Sequence, residues 1–430
     1  MPLSSIRAHL DRALAALPPG ALVVGCSGGA DSSVLLHALA QVPDARARGL
    51  RAVHIEHGLH ADSAAWSGHC RETAARLSVP IDVIRVEVAR GRGSGLEDAA
   101  RRARMAAFER TLRPGEILVL AHHRDDQAET VLLKLLRGAG PEGLGGMRVL
   151  RAFGAGYLWR PLLELSRSAL RDHARDHGLQ WLDDPSNADT TLRRNFLRAE
   201  ILPRLAARWP DADAALAHSA AWARHAADFI DAEARKALAR VRGAAPDTLA
   251  WRDWLALPDA LRDLVLRRWL RELGLDEPAH FHVAELERQL RDASEDRLPC
   301  VRFGDTELRR HRGLLHALRP LPPLPRDWQA EWDGAAALAL PGGDTLALEP
   351  ARRLDPPLLV RHRRGGERIK PAGAAHTREL RLLLQEADVP PWRRERIPLV
   401  FREDALLAVG DLFVSDDGAA LGLRWNRAPA

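Results

Sequence analysis

The chain has 430 residues, 46% of them apolar and 28% charged, with 63 Lys and Arg against 58 Asp and Glu. This composition excludes a disordered chain, and the length predicts two to four domains. A membrane-spanning helix is excluded because no apolar run reaches about 18 residues. Charges in the N-terminal helix argue against a signal peptide, and three scattered cysteines favour a reducing cytoplasm.

From residue 20 to about 137, runs with strand-like composition alternate with helical ones. The helical runs have apolar residues three and four positions apart, which places them on one face of a helix. A repeated strand–helix–strand order predicts a parallel sheet with helices on both faces, in which ligands bind at the carboxyl ends of the strands. The predicted strands are 21–25, 51–56, 81–88 and 116–122.

The rest of the chain predicts two further regions. Residues 210–318 are mostly helical in pattern and begin with one long helix over 212–241, and four prolines within 320–325 predict a stiff linker. The predicted fold class is therefore α/β: an N-terminal parallel-sheet domain, a helical middle domain and a small α+β C-terminal domain. The predicted bounds are 1–212, 213–319, 320–333 for the linker and 334–430.

Three functions compete for the loop after the first predicted strand, which reads Ser27-Gly-Gly-Ala-Asp31-Ser32. The three candidates are a phosphate-binding site, the position of a nucleophilic serine and a plain turn. Residues 25–29, G-C-S-G-G, match the G-x-S-x-G pattern of hydrolases. A Walker P-loop is excluded, because none of the three lysines precedes Ser or Thr.

The residue types in this loop favour the phosphate site. Gly28 and Gly29 can adopt positive φ and expose backbone N–H groups, while Ser27 and Ser32 add hydroxyl donors. The helix that begins here directs its positive end to the same place. Asp31 would repel a bare phosphate, which predicts that Mg²⁺ bridges this carboxylate to a nucleotide.

A second motif ends the strand at 116–122 and opens a helix: His122-His123-Arg-Asp125-Asp126-Gln-Ala-Glu129. Because it also follows a strand, we expect it to meet the first loop at one edge of the sheet. Two alternatives stay open. One is a dedicated metal centre of both histidines and both aspartates, and the other is a simple helix cap at Asp125.

A third motif places Arg101 and Arg104 on one face of a helix. These guanidinium groups can neutralise phosphate or the negative charge that develops when a bound nucleotide reacts. The alternative is a solvated basic face, which we prefer for Arg102.

Together these motifs resemble a known superfamily and one family within it. The S-G-G-x-D-S loop is similar to that of the PP-loop, or N-type, ATP pyrophosphatases, which cleave ATP between the α- and β-phosphates. Further segments resemble the tRNA(Ile)-lysidine synthase family over most of the chain, thinly across 215–330, with Met105 where the family usually has Tyr. These segments are His54-Ile-Glu-His57-Gly58-Leu59, Ala100-Arg101-Arg-Ala-Arg104, 121–130, Arg160-Pro-Leu-Leu163, Asp184-Pro-Ser186-Asn187, Arg194-Asn-Phe-Leu-Arg198, Arg368-Ile-Lys370-Pro371 and 389–401.

The resemblance implies an ATP-dependent ligase of the cytoplasm. In that family ATP adenylates the C2 oxygen of the wobble cytidine in the CAU anticodon of tRNA(Ile), and the ε-amine of L-lysine then displaces AMP. ATP and Mg²⁺ are the implied cofactors, tRNA(Ile) and L-lysine are the partners, and neither a membrane nor a protein partner is predicted. The implied residues are Asp31, Arg101, Asp125 and Asp126 for catalysis; Ser27, Gly28, Gly29, Ala30, Asp31, Ser32, His54 and His122 for ATP; Asp125, Asp126 and Glu129 for lysine; Arg104, Arg194 and Arg198 for substrate or nucleotide; and Asp31 for Mg²⁺.

The later domains are expected to select the tRNA. A basic run with only Glu367 against it fits phosphate contact, although a solvated loop is the alternative. Trp392 beside two arginines can stack on a base or belong to a core. The predicted tRNA-binding residues are Arg361, Arg363, Arg364, Arg368 and Lys370.

Two rival functions remain. A tRNA thiolase of the same superfamily typically needs a C-x-x-C pair or paired active-site cysteines, which the spacing of Cys26, Cys70 and Cys300 does not offer. A non-catalytic RNA-binding protein would not need the intact acidic residues of the two loops. Turnover of the nucleotide discriminates this rival.

Overall fold

The computed structural model describes residues 4–56, 63–87, 96–185, 189–294, 297–325 and 327–427. The chain divides into two compact units, Met1–Ile230 and Asp231–Ala430. This division falls inside the long helix α11, Ala212–Val241, whose bounds agree with the sequence prediction. The predicted domain bounds stay a prediction. Within the described ranges, no helix has the length and apolar character to cross a membrane.

A six-stranded sheet in the order β3-β2-β1-β4-β6-β5 forms the centre of the first unit. Neighbouring strands are parallel except for the β5–β6 pair. Alternate side chains of β1 enter two different cores, Leu22 and Val24 on one face and Val23 on the other. The strands are β1 Leu22–Gly25, β2 Leu50–Glu56, β3 Ile81–Arg85, β4 Ile117–Val119, β5 Leu150–Phe153 and β6 Gly156–Trp159.

Helices cover both faces of this sheet because both faces of its central strands are apolar. Near its end a continuous helical stretch changes from α9 to one π-helical turn, Leu197–Ile201, and then to α10. The helices of this unit are α1 Ser4–Ala15, α2 Ala30–Ala40, α3 Pro43–Ala47, α4 Ser63–Arg76, α5 Leu96–Thr111, α6 Arg124–Leu135, α7 Pro141–Leu144, α8 Arg167–Asp176, α9 Arg193–Phe196, α10 Leu202–Arg208 and the start of α11.

The middle region of the chain contains a sheet as well as the predicted helices. Its four strands are antiparallel in the order β7-β10-β9-β8, and they pack with the helices around the buried Trp254 and Trp269. The sequence analysis did not predict this sheet. The elements are β7 Thr248–Ala250, α12 Trp251–Leu255, α13 Asp259–Glu272, α14 His280–Asp292, β8 Cys300–Phe303, β9 Thr306–His311 and β10 Leu314–Leu318.

The C-terminal region combines short strands with three short helices, and the fold class predicted from the sequence is confirmed. Its sheets have the orders β11-β14-β17-β18-β19, β12-β13-β20 and β15-β16. The elements are β11 Gln329–Trp332, β12 Leu338–Ala339, β13 Thr345–Leu348, β14 Leu358–Arg361, β15 Arg368–Ile369, β16 Arg378–Glu379, α15 Leu380–Glu386, α16 Pro391–Arg394, β17 Leu399–Arg402, β18 Ala405–Val409, β19 Phe413–Val414, α17 Asp416–Ala419 and β20 Leu423–Asn426.

Candidate active site

The loop between β1 and α2 is held by its own serines. The Oγ of Ser32 accepts a hydrogen bond from the backbone N–H of Ser27 at 3.2 Å and donates to the carbonyl of Gly29 at 3.0 Å. The hydroxyls of Ser27 and Ser32 are 3.1 Å apart. The serines therefore fix the loop from within, and the first N–H groups of α2, including those of Ala30 and Asp31, lie at the start of the helix where an anion binds.

Glycine is required at position 28. The φ of Gly28 is +82°, and a Cβ there would lie 3.3 Å from the Sγ of Cys70. Its carbonyl accepts a hydrogen bond from the backbone N–H of Leu182 at 2.9 Å. The segment that follows α8 thus contacts the loop, close to Asp184 in the predicted D-x-S-N motif.

The two predicted motifs meet at His123, which lies at the start of α6 and is 1% exposed. Its Nε2 lies 3.5 Å from Asp31 Oδ2 and 3.4 Å from Asp126 Oδ2, while its Nδ1 lies 3.5 Å from Asp125 Oδ2. Burial lowers the pKa of His123, but the three carboxylates outweigh burial and raise it to about 10. His123 is therefore a cation at neutral pH that offsets the charge of three acids.

The aspartates of α6 are held as anions. Burial raises the pKa of Asp125, but contacts with His123 and the backbone N–H of Arg167 hold it at about 2. That N–H donates to Asp125 Oδ2 at 2.9 Å. Burial likewise raises the pKa of Asp126, yet the charge of His123 and of nearby arginines keeps it below its ordinary value. Both side chains are thus ready to accept hydrogen bonds from a cationic group.

Glu129 is completely buried and binds two arginines from the next helical stretch. Arg194 Nε donates to Glu129 Oε2 at 2.7 Å, and Arg198 Nε donates to Oε1 at 2.6 Å. Arg198 also reaches Asp126 Oδ1 at 3.2 Å. Neither arginine lies on a freely solvated face, because their side chains are only 20% and 26% exposed.

Arg101 and Arg104 lie on α5, and both are exposed. Burial lowers the pKa of His122 to about 3, and the positive charge of Arg104 is among the nearby charges that lower it further. His122 is therefore neutral at pH 7 and lies within electrostatic range of Arg104, whereas Arg101 acts in the same way on the buried Arg160. The charges of the two predicted arginines of α5 thus act on His122 of the second motif and on Arg160.

The family models and the curated relatives agree on one family. Models of a PP-loop domain, a TilS substrate binding domain and a TilS substrate C-terminal domain match residues 2–205, 249–316 and 358–426. The tRNA(Ile)-lysidine synthase of Xanthomonas axonopodis pv. citri (strain 306) is 46% identical over 426 residues, which cover 96% of both chains. The tRNA(Ile)-lysidine synthase of Pseudomonas aeruginosa PAO1 is 43% identical over 444 residues, 97% of this chain and 96% of the relative.

The chain belongs to the tRNA(Ile)-lysidine synthase family. Among solved structures, the U34-tRNA thiolase NcsA from Methanococcus maripaludis aligns with 51% of this chain and 78% of its own, at 14% identity and a TM-score of 0.41. That likeness is too weak to carry an argument, and the family assignment depends on the curated relatives.

Next to the loop, this member of the lysidine synthase family brings together residues that are far apart in sequence. His54 Nδ1 lies 2.8 Å from the carbonyl of Cys26 and 3.4 Å from the Sγ of Cys70. Burial lowers the pKa of His54, so this ring is neutral at pH 7. Because His54, Cys26 and Cys70 are all buried, the cysteines support the loop and do not meet substrate as a thiolase would require.

Sequence reasoning missed the central role of His123, which it included only in the alternative metal centre. The available signal was its position immediately before the first turn of α6, three residues before Asp126. Such a position lets the backbone N–H of His123 donate to Asp126 Oδ2, at 3.0 Å. The predicted motif residues His57, Gly58, Leu59, Ser186 and Asn187 lie outside the described residues.

In the second unit, the predicted tRNA-binding residues of this family member fall into two groups. Arg361 and Arg363 are mostly buried, at 16% and 19% exposed, and contact Glu367 at 3.0 and 3.6 Å. The other three side chains are exposed; Arg364 donates to Gln329 Oε1 at 2.8 Å, and Arg368 lies 4.0 Å from Glu379. The exposed group is Arg364, Arg368 and Lys370.

Trp392 belongs to a core and does not offer a stacking surface. It is 9% exposed and packs edge-on against His311 and His316 at ring distances of 6.0 and 5.3 Å. Of the two alternatives that the sequence analysis left open for Trp392, the place in a core is the one observed.

Proposed function

We propose that this chain ligates L-lysine to C2 of the wobble cytidine in tRNA(Ile) with a CAU anticodon, using ATP and releasing AMP and pyrophosphate. One observation carries the proposal beyond family membership. His123 Nε2 lies within 3.5 Å of both Asp31 and Asp126. Asp31 belongs to the loop of residues 27–32, which we call the nucleotide loop, and Asp126 belongs to the acidic cluster of Asp125, Asp126 and Glu129. A phosphate site and a site for a cationic amine therefore share one edge of the sheet, as an adenylation followed by amine attack requires.

ATP is the first substrate, and the loop would hold its phosphates. The N–H groups at the start of α2 and the hydroxyl of Ser27 would face the pyrophosphate group of ATP, and Arg101 and Arg104 would offset its charge. His54 would support this loop through Cys26 and thereby position the donors. Neutral His122 offers a hydrogen-bond donor or acceptor and adds no charge.

The residues present fit Mg²⁺. One oxygen of Asp31, Oδ1, is buried and has no hydrogen-bond partner among the described residues, while Oδ2 faces His123. Hard carboxylate oxygens are the ligands that Mg²⁺ prefers. Mg²⁺, when bound, would neutralise charge on the leaving pyrophosphate. His123 would keep the remaining carboxylates from repelling the nucleotide.

The amines of lysine would bind the acidic cluster of Asp125, Asp126 and Glu129. Both aspartates are partly accessible, whereas both oxygens of Glu129 already accept hydrogen bonds from Arg194 and Arg198. A substrate amine would thus meet the aspartates first, and direct contact with Glu129 requires it to displace an arginine. Arg194 and Arg198 would meanwhile present their remaining N–H groups to the nucleotide or the tRNA.

The reaction is tested by incorporation of labelled L-lysine into an unmodified tRNA(Ile) transcript with a CAU anticodon, with ATP and Mg²⁺. A methionine tRNA that shares this anticodon is the control. We expect label in the first tRNA alone. If tRNA stimulates cleavage of ATP to AMP while no lysine is incorporated, lysine is not the nucleophile and the proposal fails.

The amine site is tested by Asp126→Asn, which keeps the shape of the side chain and removes its charge. Loss of a hydrogen bond to a charged group costs about 1.5–3 kcal/mol, so kcat/KM for lysine is expected to fall roughly 10- to 150-fold. Asp44→Asn, an exposed carboxylate on α3, is the matched control. An unchanged lysine KM in Asp126→Asn would overturn the assignment.

A further inference from the structure

Three histidines outside the proposed active site face one another across two helices of the first unit. His37 lies on α2, while His173 lies on α8 and His177 directly follows that helix, four residues later. One ring nitrogen from each lies within 4.8 Å of the others, and two of the rings are buried. Residues four apart share one face of a helix, so His173 and His177 both turn towards α2.

The nitrogen atoms are close to the spacing that a metal ion imposes. His37 Nδ1 and His173 Nε2 are 3.1 Å apart. Two imidazoles bound to Zn²⁺ at about 2.0–2.1 Å with a tetrahedral angle have nitrogens about 3.3 Å apart. The pair therefore needs to open by only about 0.2 Å to admit an ion.

The outer nitrogens have the partners that orient a metal ligand. His177 Nδ1 lies 3.0 Å from the carbonyl of His173, which only accepts, so this nitrogen carries the hydrogen and Nε2 keeps its lone pair. The side-chain nitrogen of Gln41 lies 3.0 Å from His37 Nε2. Turning this amide over places its oxygen there, where it accepts the hydrogen of Nε2 and leaves the lone pair of Nδ1 for an ion. Such outer contacts commonly fix the tautomer of histidines that bind metals.

Two of the three rings are buried, with His37 8% and His173 5% exposed. Burial lowers the pKa of His37 and brings that of His173 to about 4. Both rings are therefore neutral at pH 7, which is the form of imidazole that binds a metal.

We propose that His37, His173 and His177 form a binding site for a first-row divalent cation, with Zn²⁺ as the best fit. Three imidazole nitrogens favour Zn²⁺, Ni²⁺ or Cu²⁺ over Mg²⁺, which prefers oxygen ligands. Because His177 is exposed, water completes the tetrahedron. The ion would join α2 to the end of α8.

The site has a direct structural connection to the nucleotide loop. Asp31 and His37 lie on the same helix, six residues or about 9 Å apart along its axis. On the other side, the segment that follows His177 reaches Gly28 through the N–H of Leu182. A cation at the three histidines would therefore fix both α2 and the segment that follows α8, the two parts of the chain that hold the loop.

The test is a titration of the purified full-length chain, freed of metal with a chelator, with Zn²⁺ in the presence of millimolar Mg²⁺. Isothermal calorimetry gives stoichiometry and Kd, and Co²⁺ as a substitute gives the visible absorption of a tetrahedral site. We expect one equivalent to bind. His177→Ala removes an exposed ligand without opening the core, and at least about a tenfold loss of affinity is expected.

Two controls locate the ion. His376→Ala removes an exposed histidine elsewhere and is expected to leave Zn²⁺ binding unchanged. Asp31→Asn tests whether Zn²⁺ binds at the nucleotide loop instead of at the histidines. This variant is also expected to leave Zn²⁺ binding unchanged. The proposal is overturned if Zn²⁺ does not bind stoichiometrically, if His177→Ala binds as tightly as the wild type, or if only Asp31→Asn loses the ion. Zn²⁺ is also expected to raise the Tm of the wild type and not that of His177→Ala.

Discussion

Glu129 in the first unit and Glu367 in the second each bind two arginines, but their surroundings differ. Glu129 accepts hydrogen bonds from Arg194 and Arg198 on a neighbouring helical stretch, beside three further carboxylates. Glu367 accepts hydrogen bonds from the backbone N–H groups of Arg364 and Gly365 at 2.6 and 3.0 Å, in addition to its contact with Arg361. One glutamate organises side chains around a site, whereas the other closes its own loop.

The comparison teaches that an arginine in a basic run is not necessarily available to a nucleic acid. In the C-terminal run, Glu367 forms ion pairs with two of the five predicted tRNA-binding residues and holds their loop. In the first unit, the same kind of ion pair lies next to Asp126, where a substrate would reach it. The surroundings of the glutamate, rather than the pair itself, separate the proposed functional role from a structural one.

The largest effect is expected from Glu129→Gln. It leaves Arg194 and Arg198 without a full counter-charge in a buried place, which typically costs about 3–5 kcal/mol of unfolding free energy. Lysine incorporation should fall by more than about 100-fold, because the arginines lose their orientation. Urea denaturation and the labelling assay measure the two effects. Normal activity together with reduced stability would mean that this glutamate, like Glu367, is purely structural.

The residues around Glu129 and those around Glu367 also differ in how their contribution to stability depends on pH. His123 has a folded pKa of about 10 against an ordinary 6.5, so its stabilisation is complete below pH 6.5 and is lost as pH rises towards 10. Burial lowers the pKa of His362, the neighbour of Arg361, so its contribution is present above pH 6.5 and is lost as pH falls.

We therefore expect opposite changes in the two variants. His123→Asn should reduce the loss of stability between pH 6.5 and about 10, whereas His362→Asn should reduce the loss below pH 6.5. The free energy of unfolding is measured against pH for each variant and for the wild type. The difference between variant and wild type isolates the contribution of His123 or of His362. Two variants with the same pH dependence would remove this difference between the clusters.

A smaller effect is expected from Glu367→Gln. The amide oxygen can still accept backbone N–H groups, so about 1–3 kcal/mol of unfolding free energy is the expected loss. ATP-dependent adenylation of saturating tRNA should stay within about twofold of the wild type, because the hydrogen-bond and ion-pair partners of Glu367 lie in its own loop. A loss of adenylation comparable to that of Glu129→Gln would contradict the distinction.

The smallest effect is expected from the exposed cations of the same run. Arg368→Ala and Lys370→Ala should each weaken tRNA binding several-fold and reduce the slope of log K against log salt by about 1, if each contacts a phosphate. Arg361→Ala is the matched control, since its guanidinium is held by Glu367, and its salt slope should equal that of the wild type. Salt slopes equal to that of the wild type in all three variants would exclude Arg368 and Lys370 from the tRNA interface.

Much of the fold could be predicted because local patterns carry it. The four predicted strands of the first sheet occur at the predicted places, but β3 ends at Arg85 and β4 at Val119, before their predicted ends, and residue 88 lies outside the described residues. The helix over 212–241 occurs with the predicted bounds. The antiparallel sheet in the middle region could not be predicted in this way. Its strands, such as Thr306–His311 with the sequence TELRRH, are rich in polar residues, and their pairing is decided by packing against distant helices.

The candidate site could be predicted in composition but not in pairing. The S-G-G-x-D-S loop and the acidic helix follow strands, so their approach to one edge was expected. That His123 would join the two motifs depends on side-chain geometry in the folded chain. The same holds for Glu129, which binds Arg194 and Arg198 at separations of 65 and 69 residues along the chain. The burial of two arginines in the C-terminal run likewise required the folded loop.

The π-helical turn at Leu197–Ile201 gives the first unit a place where one residue can be gained or lost. Such a turn holds one more residue than an α-helical turn. Deletion of Ala199 would restore regular α-helical geometry, keep Arg194 and Arg198 four residues apart and leave α10 in its present orientation, because the wider turn absorbs the extra residue. The change would also disturb little packing, since α10 has no buried residue and a turn at 209–211 separates it from α11. The arginine pair is thereby insulated from insertions and deletions that arise directly after it.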